Sequence, residues 1–172
     1  RKSHFQPQTI TFTTTLSHTY LNLYHGKTFA FKDMALSILP HLLTESKTLN
    51  SIAKPTVILT ATSGDTGSAA LAGFSEQKDT HIIVLYPTQG VSEFQEMQMN
   101  AFQSDHSLIY AVDGNFDDCQ NIVKQLFKDV QGDNVLLSSA NSINIGRLIP
   151  QIVYYIYTYL ELVRKNKIKF AT

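Results

Sequence analysis

The sequence predicts an α/β fold, in which an open parallel sheet carries helices on both faces. From Pro55 onward, short runs of β-branched residues alternate with helical patterns, and this order is typical of a parallel sheet joined by right-handed crossovers. The first run, residues 56–62, is apolar on both faces, as expected for a buried parallel strand. The composition agrees, because 43% of the 172 residues are hydrophobic, which is enough for a sizeable core.

The other elements of the sheet follow in chain order, beginning with a predicted turn at residues 63–67. Ser92 and Asn115 are predicted N-caps, since their side-chain oxygens can accept hydrogen bonds from the free N–H groups of a first helical turn. Two predicted helices cover residues 68–78 and 92–102, and a third follows the cap at Asn115 and ends at Gly132. The further strands are predicted at residues 81–86, 108–112 and 135–138.

Two more helices are predicted on either side of this region. Residues 31–47 have a leucine-rich apolar side, and Pro40 inside them predicts a kink or a break. Residues 148–163 predict a buried helix, because Pro150, Gln151 and Glu161 interrupt the roughly 18 apolar residues that a membrane span needs. If a neighbouring domain is missing, residues 153–162 expose many aromatic and aliphatic side chains, and we then expect self-association.

Charge and cysteine content restrict the classes of function. Fourteen basic residues balance fourteen acidic ones, which disfavours nucleic acid and anionic membranes as partners. The single cysteine, Cys119, excludes an internal disulfide and a cysteine zinc cluster, and it predicts a cytoplasmic protein. No metal site is predicted, because the six histidines lack metal-ligand spacing. No secretory signal is predicted either, because residues 1–15 lack the apolar core of such a signal.

Ligands of an open parallel sheet gather at the carboxyl ends of its strands, where residues 63–67, 87–90 and 138–147 are predicted to lie. In the first segment, two glycines let backbone N–H groups converge on an anion at a helix N-terminus, although a merely tight turn explains the pattern equally well. In the third, Arg147 follows hydroxyl and amide side chains and would suit a small dianion or carboxylate. An N-cap followed by a surface arginine is the alternative there.

Lys32 is the candidate nucleophile of the chain. It lies between an aromatic residue and an acid at the start of a predicted helix, after apolar and turn-forming residues. Partial burial would favour the neutral amine, and a neutral lysine beside an anion site is the arrangement that a Schiff-base enzyme requires. An ordinary solvated lysine is the alternative.

Four blocks of the sequence together resemble the threonine synthase family, a group of pyridoxal-phosphate enzymes related to the tryptophan synthase β subunit. The blocks are LYHGKTFAFKD at residues 23–33, LTATSGDTGSA at 59–69, GNFDDCQ at 114–120, and SANSIN at 139–144 with Arg147. They occur in the order of the family and extend the likeness over roughly residues 23–163. The resemblance implies the small domain and part of the large domain of a fold-type II enzyme.

The resemblance also implies roles for individual residues. Lys32 would carry the cofactor, pyridoxal 5'-phosphate, as a Schiff base and then move protons, and Asp65 and Asn141 would contact the cofactor. The substrate would be bound by two groups of residues, which are Ser63, Gly64, Asp65, Thr66 and Gly67, and Ser142, Asn144 and Arg147. The implied reaction is that of a carbon–oxygen lyase in threonine biosynthesis, which converts O-phospho-L-homoserine and water to L-threonine and phosphate.

The chain departs from the family pattern in two places. Lys27 stands where members usually have proline, and it could attract the phosphate of the substrate or simply face solvent. In the family, the loop for the cofactor phosphate comes after a strand that would correspond to residues 168–172, where this sequence stops. We therefore expect a fragment that binds the cofactor weakly or not at all and does not turn over. We expect residues 1–50, with the lysine helix, to be part of the large domain and residues 51–147 to form the small α/β domain. Residues 148–172 are expected to form a crossover helix and a strand that return to a missing large domain.

Two other functions remain open on sequence grounds. Another pyridoxal-phosphate phospholyase, or a serine or threonine dehydratase, would use the same lysine chemistry with a different leaving group. A non-catalytic α/β fragment that binds a small anion or a protein partner is the alternative from a different class.

Overall fold

A computed structural model describes residues 10–130 and 134–169 of the chain. Its strands are β1 (Thr11–Thr14), β2 (Thr19–Asn22), β3 (Thr56–Ala61), β4 (Thr80–Pro87), β5 (Ser107–Val112) and β6 (Leu136–Ser139). Its helices are α1 (Asp33–Leu49), α2 (Asp65–Phe74), α3 (Glu93–Ala101), α4 (Phe116–Asp129), α5 (Ile145–Leu148) and α6 (Ile152–Arg164), and a 3-10 turn at Ile149–Gln151 joins the last two. None of the helices in these ranges is long and apolar enough to cross a membrane.

Four parallel strands form the central sheet in the order β5-β4-β3-β6, which confirms the predicted fold class. The chain builds outward from β3 to β4 and β5, and then crosses to the other side of β3 to form β6. The strand order therefore reverses between β3 and β6, and Ser139, the last residue of β6, pairs with Leu59, two residues before the end of β3. In open α/β sheets, the crevice outside such a reversal is the usual place for a ligand.

Helices cover both faces of this sheet, as predicted. On one face, α2 packs against β3 and β4, and α1 and α3 pack against α2. Their shared core includes Leu36, Leu71, Phe74, Ile82, Val84 and Met99. On the other face, α4 contributes Cys119 and Val123 to a smaller core with Leu59, Ala61 and Leu85. The burial of both faces explains why the strands read as continuous apolar runs.

The predicted N-caps of two helices are confirmed. Ser92 caps α3 and Asn115 caps α4, and each forms a capping box in which the side chain three residues later accepts a hydrogen bond from the cap's own N–H. The later partners are Gln95 and Asp118. Helix α4 extends to Asp129, and the predicted end at Gly132 lies outside the described residues.

The predicted turn at residues 63–67 is too long, and the predicted helix 68–78 begins and ends too late. Gly64 has φ of +127°, which reverses the chain, and α2 starts directly after it at Asp65. Asp65, Thr66 and Gly67 therefore belong to the first turn of the helix. The helix ends at Phe74, and the N–H of Gln77 then donates to the Phe74 carbonyl in a tight turn that leads to β4.

Pro40 predicted a kink or a break, and the break is wrong, because α1 continues through this proline from Asp33 to Leu49. The kink stays a prediction. A proline has no N–H for the carbonyl four residues earlier, here that of Leu36. Helix α2 packs closely at this carbonyl, since a Cβ on Gly73 would lie only 2.1 Å from the Leu36 oxygen. Packing against α2 thus stabilises the turn of α1 at Pro40, where an isolated helix would break.

Helix α6 is largely exposed, which corrects the prediction of a buried helix at residues 148–163. Tyr154 is its buried residue, whereas the side chains of Tyr155 and Ile156 are 78% and 55% exposed. The apolar side chains of α6 are buried only where the helix contacts the rest of the described chain. Residues 168 and 169 do not form the predicted strand, and its remainder, residues 170–172, lies outside the described residues. The antiparallel hairpin of β1 and β2 had no sequence prediction.

Candidate active site

Lys32 lies directly before α1, and its side chain is mostly buried, with 17% of its surface exposed. Its Nζ donates to Asp65 Oδ2 at 3.3 Å and lies 5.1 Å from the centre of the Phe31 ring. The chain before Lys32 is fixed by Asp33, whose carboxylate accepts hydrogen bonds from the N–H and the hydroxyl of Thr28. The structure therefore holds the candidate nucleophile in a defined position beside one carboxylate.

Asp65 belongs to the first turn of α2 and receives two donors. Gln95 Nε2 donates to Oδ1 at 2.9 Å, while Lys32 occupies Oδ2. Burial by itself would raise the pKa of Asp65, but the hydrogen bond from Gln95 and the positive charge of Lys32 outweigh it and lower this pKa below its ordinary value. Asp65 is therefore an ionised partner for the lysine at neutral pH.

The strand-to-helix turn is organised by Thr62, which the sequence analysis did not single out. The Thr62 hydroxyl accepts hydrogen bonds from the N–H groups of both Gly64 and Gly67, each at 2.9 Å. The N–H groups of Gly64 and Gly67 are therefore used within the protein and are not available to an anion, and the anion site at this turn stays a prediction. Ser63 is exposed and Asp65 half-buried, so these residues of the turn face outward.

Asn141 lies at the reversal of strand order and joins the ends of β3 and β6. Its Nδ2 donates to the Ala61 carbonyl at 2.7 Å, and its Oδ1 accepts from the Ala61 N–H at 3.1 Å. The amide thereby pairs with β3 as a strand residue would, 80 residues away in sequence. Ser139 supports it by accepting a hydrogen bond from the Asn141 N–H. The candidate cofactor residue therefore closes the crevice between the two strands.

The other residues predicted from the 138–147 segment differ in their surroundings. Ser142 is exposed, and Asn144 caps α5 by accepting a hydrogen bond from the Gly146 N–H. Arg147 is 7% exposed and donates from Nη1 to the Ala140 carbonyl, and its Nε has no hydrogen-bond partner among the described residues. Burial lowers the pKa of Arg147. The structure places this guanidinium inside the protein, which corrects the idea of a surface arginine.

The predicted site residues therefore form two groups. Lys32 and Asp65 are in direct contact, together with Gln95, which no sequence signal marked. Asn141 donates to the carbonyl of Ala61, the last residue of β3. The next residue, Thr62, accepts the hydrogen bond from Gly64 that holds the turn after the strand. Lys27 is exposed and lies over the ring of Phe102 at 5.4 Å, so it makes no contact with either group.

Comparisons with known proteins show what the chain is similar to. No family model matches the chain. Threonine synthase of Schizosaccharomyces pombe is 42% identical over 154 residues, which are 86% of this chain and 30% of that protein. The chain is homologous to part of threonine synthase. The resemblance predicted from the four sequence blocks is thereby confirmed.

Two further relatives agree with this. The human protein named threonine synthase-like 1 is 39% identical over 88% of this chain, and the match covers 22% of that protein. A crystal structure of PLP-bound threonine synthase from Brucella melitensis has a TM-score of 0.78 at 37% identity, over 89% of this chain and 33% of that one. The chain thus spans no more than a third of the length of these threonine synthases and their relatives.

Proposed function

We propose that this chain forms the lysine-bearing part of a threonine synthase, which converts O-phospho-L-homoserine and water to L-threonine and phosphate. The observation that carries the proposal is the mostly buried amine of Lys32 beside the ionised Asp65, within a chain 42% identical to a threonine synthase. A mostly buried lysine near the carboxyl ends of a parallel sheet has the location that a carbonyl-binding enzyme needs.

The residues present fit the aldehyde end of pyridoxal phosphate, which we propose as the cofactor. Lys32 supplies the amine that would hold the aldehyde, and Asp65 and Asn141 are the proposed cofactor contacts. When bound, pyridoxal phosphate supplies an electron sink that stabilises negative charge on substrate carbons. This agrees with the hydrogen bonding of the amine, because among the described residues Lys32 Nζ donates to one carboxylate oxygen, Asp65 Oδ2.

The chain's own residues would bind the substrate and move its protons. Lys32 Nζ would take and return the proton at the α-carbon, because the amine that holds the cofactor aldehyde would also lie beside the substrate bound there. Ser63 and Thr66, with the N-terminus of α2, would hold the α-carboxylate, because the helix dipole favours an anion there. The proposed phosphate group is Ser142, Asn144 and Arg147. Arg147 suits this role because its charge has no carboxylate partner among the described residues.

A chimera tests the proposal. The matching segment of the Schizosaccharomyces pombe threonine synthase is replaced by this chain, and phosphate and threonine are measured after addition of O-phospho-L-homoserine. We expect both products, and we expect neither from the chimera carrying Lys32→Ala. A folded chimera that releases ammonia from serine or threonine, but no phosphate from phosphohomoserine, would identify a dehydratase and refute the proposal.

The cytoplasm is the compartment that we propose for this reaction. Cys119 is buried and is a free thiol, which agrees with a reducing environment. Fractionation of cells that express the whole protein, followed by detection in the cytosolic or an organellar fraction, tests this assignment.

A further inference from the structure

We propose that Gln95 is a positioning residue for Lys32, and that it acts by holding the Asp65 carboxylate against the lysine amine. The inference rests on the proposed function only in naming Lys32 as the reactive amine. The geometry itself comes from three helix N-termini that meet at this point, those of α1, α2 and α3.

The Asp65 carboxylate is held at both oxygens by different side chains. Gln95 Nε2 donates to Oδ1 at 2.9 Å, and Lys32 Nζ donates to Oδ2 at 3.3 Å. With one donor on each oxygen, rotation of the carboxylate breaks at least one hydrogen bond. The shorter of the two bonds is the one to Gln95. It therefore sets the direction in which Asp65 presents its second oxygen to the lysine.

Gln95 is itself fixed by the cap of α3. Its Oε1 accepts a hydrogen bond from the Ser92 N–H at 3.0 Å and lies 3.2 Å from the Ser92 hydroxyl. Because the amide oxygen is used by Ser92, the amide NH₂ must point towards Asp65. Gly64 leaves the space for this arrangement, since a Cβ there would lie 2.3 Å from the Gln95 amide carbon.

This anchoring matters because the Asp65 side chain is 46% exposed. A carboxylate with that much exposure can turn into solvent, where water replaces the lysine. The lowered pKa of Asp65, to which the Gln95 hydrogen bond contributes, agrees with a carboxylate that is held in its charged form. As long as Asp65 stays in place, its Oδ2 accepts the hydrogen bond from Lys32 Nζ, so Gln95 controls how firmly the amine is held.

The test measures the reactivity of Lys32 in the 172-residue chain without cofactor. Wild type and Gln95→Met are treated with trinitrobenzenesulfonate, which reacts with neutral amines, and modification of Lys32 is quantified by mass spectrometry relative to the exposed Lys124. We expect Lys32 to react about two- to fivefold faster in Gln95→Met, the range by which a partly exposed ion pair shifts an equilibrium. The titration midpoint of Asp65, followed by carboxyl ¹³C NMR, should rise in the same variant.

One control variant separates positioning from a general effect on α3. Gln98→Met removes another half-buried glutamine of the helix, one that donates to the Thr28 carbonyl and not to Asp65. Gln98→Met should retain the wild-type Lys32 rate. In an Asp65→Asn background, Gln95→Met should have no further effect on that rate, because the proposed action passes through the carboxylate.

An unchanged Lys32 rate in folded Gln95→Met, or an equal increase in Gln98→Met, would overturn the proposal. Should Gln95→Met fail to fold, Gln95→Glu keeps an acceptor for the Ser92 N–H and places a negative charge at Asp65. The Asp65 midpoint must then rise, and a constant midpoint would likewise overturn the proposal. If the labelling results hold while the chimera makes no threonine, the proposed function fails and the positioning role stands.

Discussion

Replacing Thr62 by valine should destabilise the chain, whereas replacing Thr60 by valine should not. Both threonines are on or next to β3, two residues apart, and both are at least 99% buried. The substitution is the same and nearly isosteric in each case, so loss of volume does not distinguish them. The hydrogen bonds of the two hydroxyls do. Thr62 Oγ1 accepts from two backbone N–H groups, whereas Thr60 Oγ1 has no partner among the described residues.

The expected magnitudes follow from the cost of buried polar groups without partners. Thr62→Val leaves the N–H groups of Gly64 and Gly67 without an acceptor, at about 1–3 kcal/mol each, so we expect a loss of about 2–6 kcal/mol. Thr60→Val removes a buried hydroxyl that makes no hydrogen bond, and we expect a change between zero and a gain of about 2 kcal/mol. Near 170 residues, each kcal/mol shifts the melting temperature by roughly 2–4 °C.

Urea unfolding followed by circular dichroism measures both variants against the wild type, and equal m-values would show that the unfolded states are comparable. Thermal unfolding gives an independent estimate. If Thr62→Val and Thr60→Val lose the same free energy, burial alone determines the effect, and the role of Thr62 as acceptor for the turn is refuted.

Three other variants probe the packing around the site. Gly73→Ala should destabilise the chain by roughly 1–3 kcal/mol in urea unfolding, because its Cβ would meet the Leu36 carbonyl oxygen at 2.1 Å; an unchanged midpoint would show that α1 and α2 can separate there. Tyr154→Phe should cost about 0.5–1.5 kcal/mol in the same assay, since it loses the hydrogen bond from the Tyr154 hydroxyl to the Phe31 carbonyl next to Lys32. Ile156→Glu should reduce self-association in sedimentation velocity without lowering stability, because this side chain is 55% exposed on α6; equal association in both proteins would place the contact elsewhere.

Local patterns were sufficient to predict most of the sheet and its caps. The apolar run of β3 and the cap residues Ser92 and Asn115 each depend on neighbours within a few positions, and the structure confirms them. Predictions failed where a distant element decides the outcome. Pro40 does not break α1, because α2 packs at that turn, and α6 is exposed because the described chain covers only part of it.

The same distinction applies to the candidate site. Lys32 and the turn at Ser63 could be found from residue type and from their place after a strand or before a helix, and their assigned roles remain predictions. Gln95 and the contact of Asn141 could not, because each acts on a residue 30 or 80 positions away, and no spacing rule connects them. Both side chains use an amide that both donates and accepts. An amide at either position can therefore link two backbone or carboxylate partners without adding charge.

That property gives a physical reason for amides at these two positions. At Asn141, an aspartate would repel the Ala61 carbonyl to which Nδ2 now donates, and a leucine would leave both backbone groups of Ala61 without partners. At Gln95, a glutamate would repel Asp65 and leave Lys32 between two competing carboxylates. Asn141→Asp should accordingly lower the free energy of unfolding by about 1–3 kcal/mol in urea at pH 7. The loss should diminish as the pH falls and the new carboxyl becomes protonated and able to donate. A loss that stays constant with pH would show that the shape of the Asn141 side chain, and not the hydrogen bond that its Nδ2 donates, holds β3 to β6.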